Sequence, residues 1–265
     1  MPQGTSGHPH PARRVPVGLE LWTVRTDLKK DLKHTVAAVA AMGFQAVEFF
    51  STYLDWPLAE AREVRALLDD LGLACSSTHN GLRAFTSQAL GKTVELNHVL
   101  GSPHAIVASV PPVSGLEGWK QVSGQLTDVA ERLRPYGLAT GYHNNQQEWV
   151  PQDGHLPMDV VALGTPSDVV LQFDVGPAVE RGVDPVRWIE AYPGRTKSLH
   201  LRDWSAKDGF RVVFGDGDCP WPEIFDAAER VGGVECYLIE HGHSTPDEEV
   251  DFAVRGLANF RRLSR

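Results

Sequence analysis

The sequence predicts a single (β/α)8 TIM barrel. Three observations predict it. The length, 265 residues, is close to the roughly 250 typical of one eight-unit barrel. Short apolar runs alternate along the chain with segments patterned like helices, and a glycine closes helix after helix. In such barrels the chemistry is carried on the rim formed by the C-terminal ends of the strands.

The elements follow in order. VGLELW (17–22) reads as the first strand, and DLKKDLKHTVAAVAAMG (27–43) as a helix with Leu28, Leu32, Val36, Val39 and Ala40 at helical spacing, ended by Gly43. FQAVEFF (44–50) and LACSSTH (73–79) are the next strands, with helices at 58–72 and 86–101. The fourth strand, HAIVASV (104–110), precedes the longest helical stretch, 115–137. LATGYH (138–143), VVLQFD (169–174), TKSLHL (196–201) and CYLIE (236–240) complete eight strands, with helical segments at 157–163, 183–194, within 211–233, and at 247–263. Gly43, Gly72, Gly101 and Gly137 recur where helices must reverse into strands, a position that suits a left-handed cap.

A doubly wound open sheet would place a glycine-rich phosphate fingerprint after its first strand, whereas that turn reads TVRTDLKK (23–30). No linker or composition break divides residues 17–265, which are expected to form one domain. Residues 1–16, rich in Gly, Pro, Ser and His and without an apolar core, are expected to be a disordered N-terminal tail rather than a secretory signal.

The composition, 42% hydrophobic and 22% charged, is that of a soluble globular protein. A net charge of −9 disfavours a nucleic-acid surface, and no apolar run is long enough to span a bilayer. The partner expected is a small molecule, with homo-oligomerisation left open. Cys75, Cys219 and Cys236 form no CxxC pair, so neither a disulfide framework nor a thiolate zinc site is indicated, and a cytoplasmic, reducing compartment is expected.

Four polar residues, His143, Asp174, His200 and Glu240, close four successive strands. Imidazole and carboxylate groups suit a divalent cation, and four strand ends on one rim can converge on a point above the barrel mouth. Each alone could be a helix cap or a solvated rim residue. Together they read as a metal site.

The segments LELWTVR (19–25), GFQAVEFF (43–50), YHNNQQEW (142–149), FDVGPAVERGVDP (173–185), YPGRTKSLHLRD (192–203), FGDGDCPWPEIFDAAERVG (214–232) and YLIEHG (237–242) resemble the xylose-isomerase-like barrel superfamily. The branch is that of sugar phosphate isomerases/epimerases, which includes inosose dehydratase-like proteins. The resemblance implies a divalent cation (Mn, Zn, Mg or Co) held by His143, Asp174, His200 and Glu240, and a carbohydrate or cyclitol substrate. Epimerases of the superfamily usually carry glutamates on strands five and eight. Here His143 stands at the strand-five position, so Glu148 becomes a candidate ligand or base returning from the loop, if it is not simply solvated. Asn144 would hydrogen-bond a sugar hydroxyl. The branch usually reads HNH and DVGH where this chain has Asn145 and Pro177, which speaks against a two-glutamate epimerase mechanism.

On a strand of period two, His200 and Arg202 share a face while Asp203 begins the loop. Arg202 could clamp a substrate oxygen or pair with Asp203 or Glu240. Asp203 could hold the His200 imidazole in one tautomer. His79 and Glu48 close strands three and two and are expected to meet substrate, His79 as an acid or base beside Glu240 and Glu148. Trp22 and Trp149 are expected to stack on a sugar ring, Trp204 is a further loop aromatic, and Trp221 is expected in the core.

A cation at this mouth suits chemistry on a keto sugar or cyclitol through an enediolate. Returning the proton gives an isomerase or epimerase, and losing a β-oxygen gives a dehydratase or lyase. A sugar-binding barrel without activity is the non-enzymatic alternative, and the acidic composition argues against a DNA endonuclease.

Overall fold

The computed structural model describes residues 14–264. Eight strands, β1 (Val17–Glu20), β2 (Ala46–Phe49), β3 (Ala74–Gly81), β4 (His104–Ser109), β5 (Ala139–His143), β6 (Val170–Asp174), β7 (Ser198–Leu201) and β8 (Cys236–Ile239), close into one barrel in sequence order. All neighbours are parallel, including the closing β1–β8 pair. The expected fold is therefore the observed one.

Helices ring the barrel: α1 (Arg25–Lys30), α2 (Leu32–Met42), α3 (Leu58–Leu71), α4 (Leu90–Leu100), α5 (Gly115–Leu133), α6 (Pro157–Gly164), α7 (Val175–Glu180), α8 (Pro185–Ala191), α9 (Trp221–Ala227) and α10 (Glu249–Leu263). The single helix expected over 27–43 is two, because Asp31 takes an extended conformation (φ −153°) and its carboxylate caps the second by accepting from His34 N. The first strand ends earlier than its apolar run, which continues into a 3-10 turn over Leu21–Val24. Helix α7, directly after β6, is an element that the sequence pattern did not reveal.

The expected glycine caps are present: Gly43, Gly72, Gly101 and Gly137 all have positive φ and left-handed geometry. The apolar face of α5 shows how the ring is held, burying Trp119, Val122, Leu126, Val129 and Leu133. Burial of such side chains contributes about 1.5–3 kcal/mol each, against the entropy of ordering them.

The expected tail falls mainly on residues 1–13, outside the described residues, as do His8 and His10. Val15 already packs on the core and the Pro16 carbonyl accepts from Tyr237 N at 2.9 Å, so the ordered domain begins before Val17.

Strand parity positions the site. Residues two apart face the same side, which sets Glu48 over Ala46 and Glu240 over Leu238 and Cys236; Ala46, Leu238 and Cys236 form a small apolar cluster apart from the main core. At Gly141, two residues before His143, a Cβ would meet Val170 O at 2.5 Å and Ile106 Cδ1 at 2.8 Å. Only glycine lets β5 approach that closely below the polar layer.

Candidate active site

Strand geometry gathers the polar groups at the C-terminal mouth. Glu20 closes β1, Glu48 lies in β2 and His79 in β3; His143 closes β5, Asp174 closes β6, His200 lies in β7 and Glu240 follows β8. A cavity of about 420 Å3 opens there, lined by Glu20, Trp22, His79, His143, Asn145 and Glu240 among others. Three imidazoles cluster there, with His79 stacked on His200 at 5.2 Å and 10° and His143 tilted against both at 4.6 Å.

Ligand atoms of His143, Asp174 and Glu240 lie within 4.8 Å of one another, as do those of His79, His143 and His200. His143 Nδ1 and Asp174 Oδ1 are buried without a hydrogen-bond partner. Buried polar atoms are seldom left so, and in this set of imidazoles and carboxylates they suit a divalent cation. Three of the four residues expected as ligands are thus brought within reach of one another. The fourth, His200, is gripped from both sides: its Nδ1 is 2.7 Å from Glu240 Oε2 and its Nε2 is 2.9 Å from Glu48 Oε2.

The electrostatics follow from that crowding. Burial works against the charged form of His200, but the Glu48 and Glu240 carboxylates overcome it and hold the imidazole well above its usual range. Burial would likewise raise Glu48 and Glu240. Instead His79 and His200 pull Glu48 down to about 2, and His200 with Arg202 pulls Glu240 well below the carboxylate range. Burial pushes Asp174 up to about 7 despite Arg202 beside it, and burial with the Glu240 and Glu48 charges pushes Glu20 well up. Acidic groups outweigh the cations at hand, which is the imbalance a metal ion relieves.

His79 is placed as expected at the mouth. Its Nε2 lies 2.6 Å from Gln172 Oε1 and 3.1 Å from Glu48 Oε2. The Gln172 amide is oriented by donating to Glu48 Oε1 and Ser198 Oγ, so its oxygen faces His79 and Nε2 must be the donor. Nδ1 is then the lone-pair nitrogen. Burial holds this imidazole below its usual range, favouring the neutral ring. Glu48, which also accepts from Ser77 Oγ at 2.5 Å, supports the two histidines from beneath.

Arg202 donates to Asp174 Oδ2 at 2.9 Å, lies 3.9 Å from Glu240 Oε1, and rests on the Phe210 ring at 4.6 Å. The carboxylate it bonds is Asp174 rather than the expected Asp203, with Glu240 at the edge of contact. Trp22 borders the cavity, 44% exposed and edge-on to Phe50 at 5.3 Å.

Five expectations are corrected. Glu48 does not reach the mouth to meet substrate: it is fully buried beneath His79 and His200, its carboxylate taken up by them and by Ser77 and Gln172. Trp149 does not line the mouth: it is fully buried against Phe173 and Trp188, where the 3-10 turn Gln147–Trp149 drives it inward. Glu148, beside it, is also fully buried and accepts from Tyr142 Oη (2.6 Å), Asn145 N (2.8 Å) and Gln147 Nε2 (3.1 Å); it clamps the loop rather than facing the mouth. Asn144 spends its amide on the Asp174 backbone, donating to O and accepting from N at 2.9 Å each, so it splices β5 to β6 and is fully buried. Asp203 turns away from His200 and accepts from Trp204, Gly215, Gly217 and Cys219 N–H groups and from Trp221 Nε1. The carboxylate that does touch His200 Nδ1 is Glu240. Trp221, as expected, is in the core.

Glu20 and Gln172 escaped the sequence reading. Glu20 ends β1 as Glu240 follows β8, so the strand-end rule applied to VGLE would have found it. Gln172 shares parity with Asp174, the signal that would have placed it facing the interior.

The sequence model of the family described as "Xylose isomerase-like TIM barrel" matches residues 36–260. The chain belongs to that family. It is 24% identical over 167 residues to the rhizopine catabolism protein MocC of Rhizobium meliloti, covering 56% of this chain and 50% of that protein. It is 24% identical over 145 residues to the inosose dehydratase of Lacticaseibacillus casei, covering 48% of each. The chain therefore spans about half the length of the curated relatives it matches.

Among solved structures, a sugar phosphate isomerase/epimerase from Parabacteroides distasonis ATCC 8503 superposes with a TM-score of 0.76 at 23% identity, covering 95% of this chain and 98% of that one. A D-psicose 3-epimerase superposes with a TM-score of 0.66 at 14% identity, covering 94% and 99%. At such identities the likeness establishes the shared fold. Among the described residues no helix is long and apolar enough to cross a membrane.

Proposed function

We propose that this chain is a divalent-metal-dependent enzyme of isomerase or epimerase type, moving a proton on a keto sugar or cyclitol. The observation that carries this reading is the convergence of His143, Asp174 and Glu240 within 4.8 Å, with orphaned buried ligand atoms, beneath a cavity whose wall holds a neutral His79. These three residues would hold the cation, and His200, its two ring nitrogens turned to Glu48 and Glu240, would stand beside it. When bound, it would polarise the substrate carbonyl and so acidify the neighbouring C–H.

The residues of the chain account for the rest. His79 Nδ1 accepts the proton, because the hydrogen bond to Gln172 Oε1 keeps the proton of the resting ring on Nε2. His200, held charged between Glu48 and Glu240, and Arg202, against Asp174, offset the negative charge that the reaction develops. Trp22 offers an exposed aromatic face at the cavity edge for the apolar side of a sugar ring.

Dehydration on the same site is a second reading, favoured by one observation. Glu148 is consumed by Tyr142 and the loop backbone, so no second carboxylate faces the mouth from β5, and transfer between two carboxylates on opposite faces has no partner there. Elimination needs only one base and a leaving hydroxyl.

The test is incubation of protein reconstituted with Mn, Zn, Mg or Co with keto sugars and inososes in deuterated water, read by NMR. Deuterium beside the carbonyl in a rearranged sugar supports isomerisation or epimerisation, and an unsaturated product supports dehydration. Failure to bind any of the four metals would sink both.

A further inference from the structure

The mouth cavity does not end at the barrel axis. Ser51, Gly81 and Ser109, on the β2–β4 side, line both it and a second cavity of about 400 Å3. All three residues are small. A Cβ at Gly81 would point at Ser109 Oγ, 3.3 Å away, so any side chain there would fill the saddle between the two spaces. Gly81 has φ −91°, which every residue adopts, so its conformation does not require glycine. It lies where the β3–β4 register shifts after Asn80, an irregularity of the kind that bends a strand locally.

The second cavity has a lining unlike that of the first. Leu82, Val110 and Pro111 give it an apolar wall, and Ser51, Ser109 and Arg83 give it hydroxyl and guanidinium groups. None of these three side chains bonds another described residue. Among the described residues the cavity is lined by no carboxylate, imidazole or thiol, so it is equipped to bind and not to react. An apolar surface with a few polar groups is how proteins take up small ligands, and each cavity alone lies within the size range of such sites. A sugar ring, apolar on its faces and rimmed with hydroxyls, matches this lining.

We propose that the substrate is a glycoside: the reacting ring occupies the mouth, and a second sugar ring, joined through the glycosidic oxygen, passes over Gly81 into the cavity beside Arg83. The inference rests on the proposed sugar chemistry of the mouth and adds the size of the substrate to it. No bond is made or broken in the second cavity. Its contribution is binding, which anchors the reacting ring against His79 and the metal ligands.

Isothermal titration of the Mn-loaded protein separates the two ideas. The probes are glucose, galactose and fructose against maltose, cellobiose, lactose and sucrose. At least one disaccharide is expected to bind about tenfold or more tightly than its component monosaccharides. Pro111→Trp, which fills the second cavity from its loop, and Arg83→Ala are each expected to erase that gain while leaving monosaccharide binding unchanged. Gly81→Val, which blocks the saddle, is expected to erase it too. Monosaccharide binding with no disaccharide gain, or a gain that survives both Pro111→Trp and Arg83→Ala, overturns the second ring and leaves the proposed chemistry standing. Absence of binding by every sugar overturns the second ring and the keto-sugar reading of the mouth, and leaves the cyclitol reading to the inosose assay.

Discussion

His200 and Glu240 are joined by a 2.7 Å contact between Nδ1 and Oε2, and the other ring nitrogen faces Glu48 Oε2 at 2.9 Å. A fully buried imidazolium between two carboxylates has no water to turn to, so its orientation depends on both. Glu240 also belongs to the His143–Asp174–Glu240 set, whereas Glu48 does not. The two carboxylates are therefore separable by experiment. Glu48→Gln, which loosens His200 and through it the ligand Glu240, is expected to lower metal affinity about ten- to hundredfold, the effect usual for a group that orients a ligand. Glu240→Gln, which removes a ligand as well as a partner, is expected to lower it further. Calorimetric titration with Mn and Zn measures both, and equal losses would count against placing Glu240 on the metal.

Glu148 makes the opposite prediction. Its carboxylate serves Tyr142 Oη, Asn145 N and Gln147 Nε2, away from the cavity. Glu148→Met, close in size but without acceptors, leaves buried donors unmet at a cost of about 1–3 kcal/mol each. Chemical denaturation is expected to show that loss, with metal affinity of the folded protein within a few-fold of wild type. A collapse of metal affinity with unchanged stability would return Glu148 to the ligand set.

These contrasts mark how far the sequence could be read. Strand periodicity and glycine punctuation encode the barrel, and parity carries His143, Asp174 and His200 to one rim because a strand offers only two faces. The difficulties begin where strands end. Asn144, Glu148, Trp149 and Asp203 all lie just beyond a strand, where side-chain direction depends on turns such as the 3-10 turn at Gln147–Trp149 rather than on a repeat. A polar residue one step past a rim is as apt to satisfy loop backbone as to meet a ligand.

Stability should also depend on pH through His104, at the start of β4 and away from the mouth. Burial holds its imidazole below the usual 6.5, so between that value and its lower native one the unfolded chain binds more protons than the folded one. Stability is therefore intact above about pH 6.5 and declines as the pH falls through that window. His79, His143 and His241 are lowered in the same sense and His200 in the opposite one, so a difference measurement is needed. In denaturation series from about pH 7.5 to about pH 5, His104→Gln is expected to lose stability less steeply than wild type. Parallel slopes would mean that His104 contributes nothing to the acid limb.

Asp203 governs the loop between β7 and α9. Its two oxygens gather four backbone N–H groups, from Trp204, Gly215, Gly217 and Cys219, and the Trp221 indole N–H at 2.7 Å. Space is as tight as the bonding, since a Cβ at Gly217 would collide with the Asp203 carboxylate. That loop carries Phe210, on which the Arg202 guanidinium rests, and Arg202 in turn pairs with Asp174. Removing the carboxylate leaves two buried donors, Cys219 N and Trp221 Nε1, and three part-buried ones without an acceptor; at about 1–3 kcal/mol for each buried donor, Asp203→Ala is expected to destabilise the fold by about 3 kcal/mol. Asp203→Asn keeps one acceptor oxygen and is expected to fall between that variant and wild type. If Asp203 instead acted by orienting His200, both variants would weaken metal binding about as much as Glu48→Gln while sparing stability. Denaturation midpoints and metal titrations on the same preparations distinguish the two, and the hydrogen bonds observed favour the first.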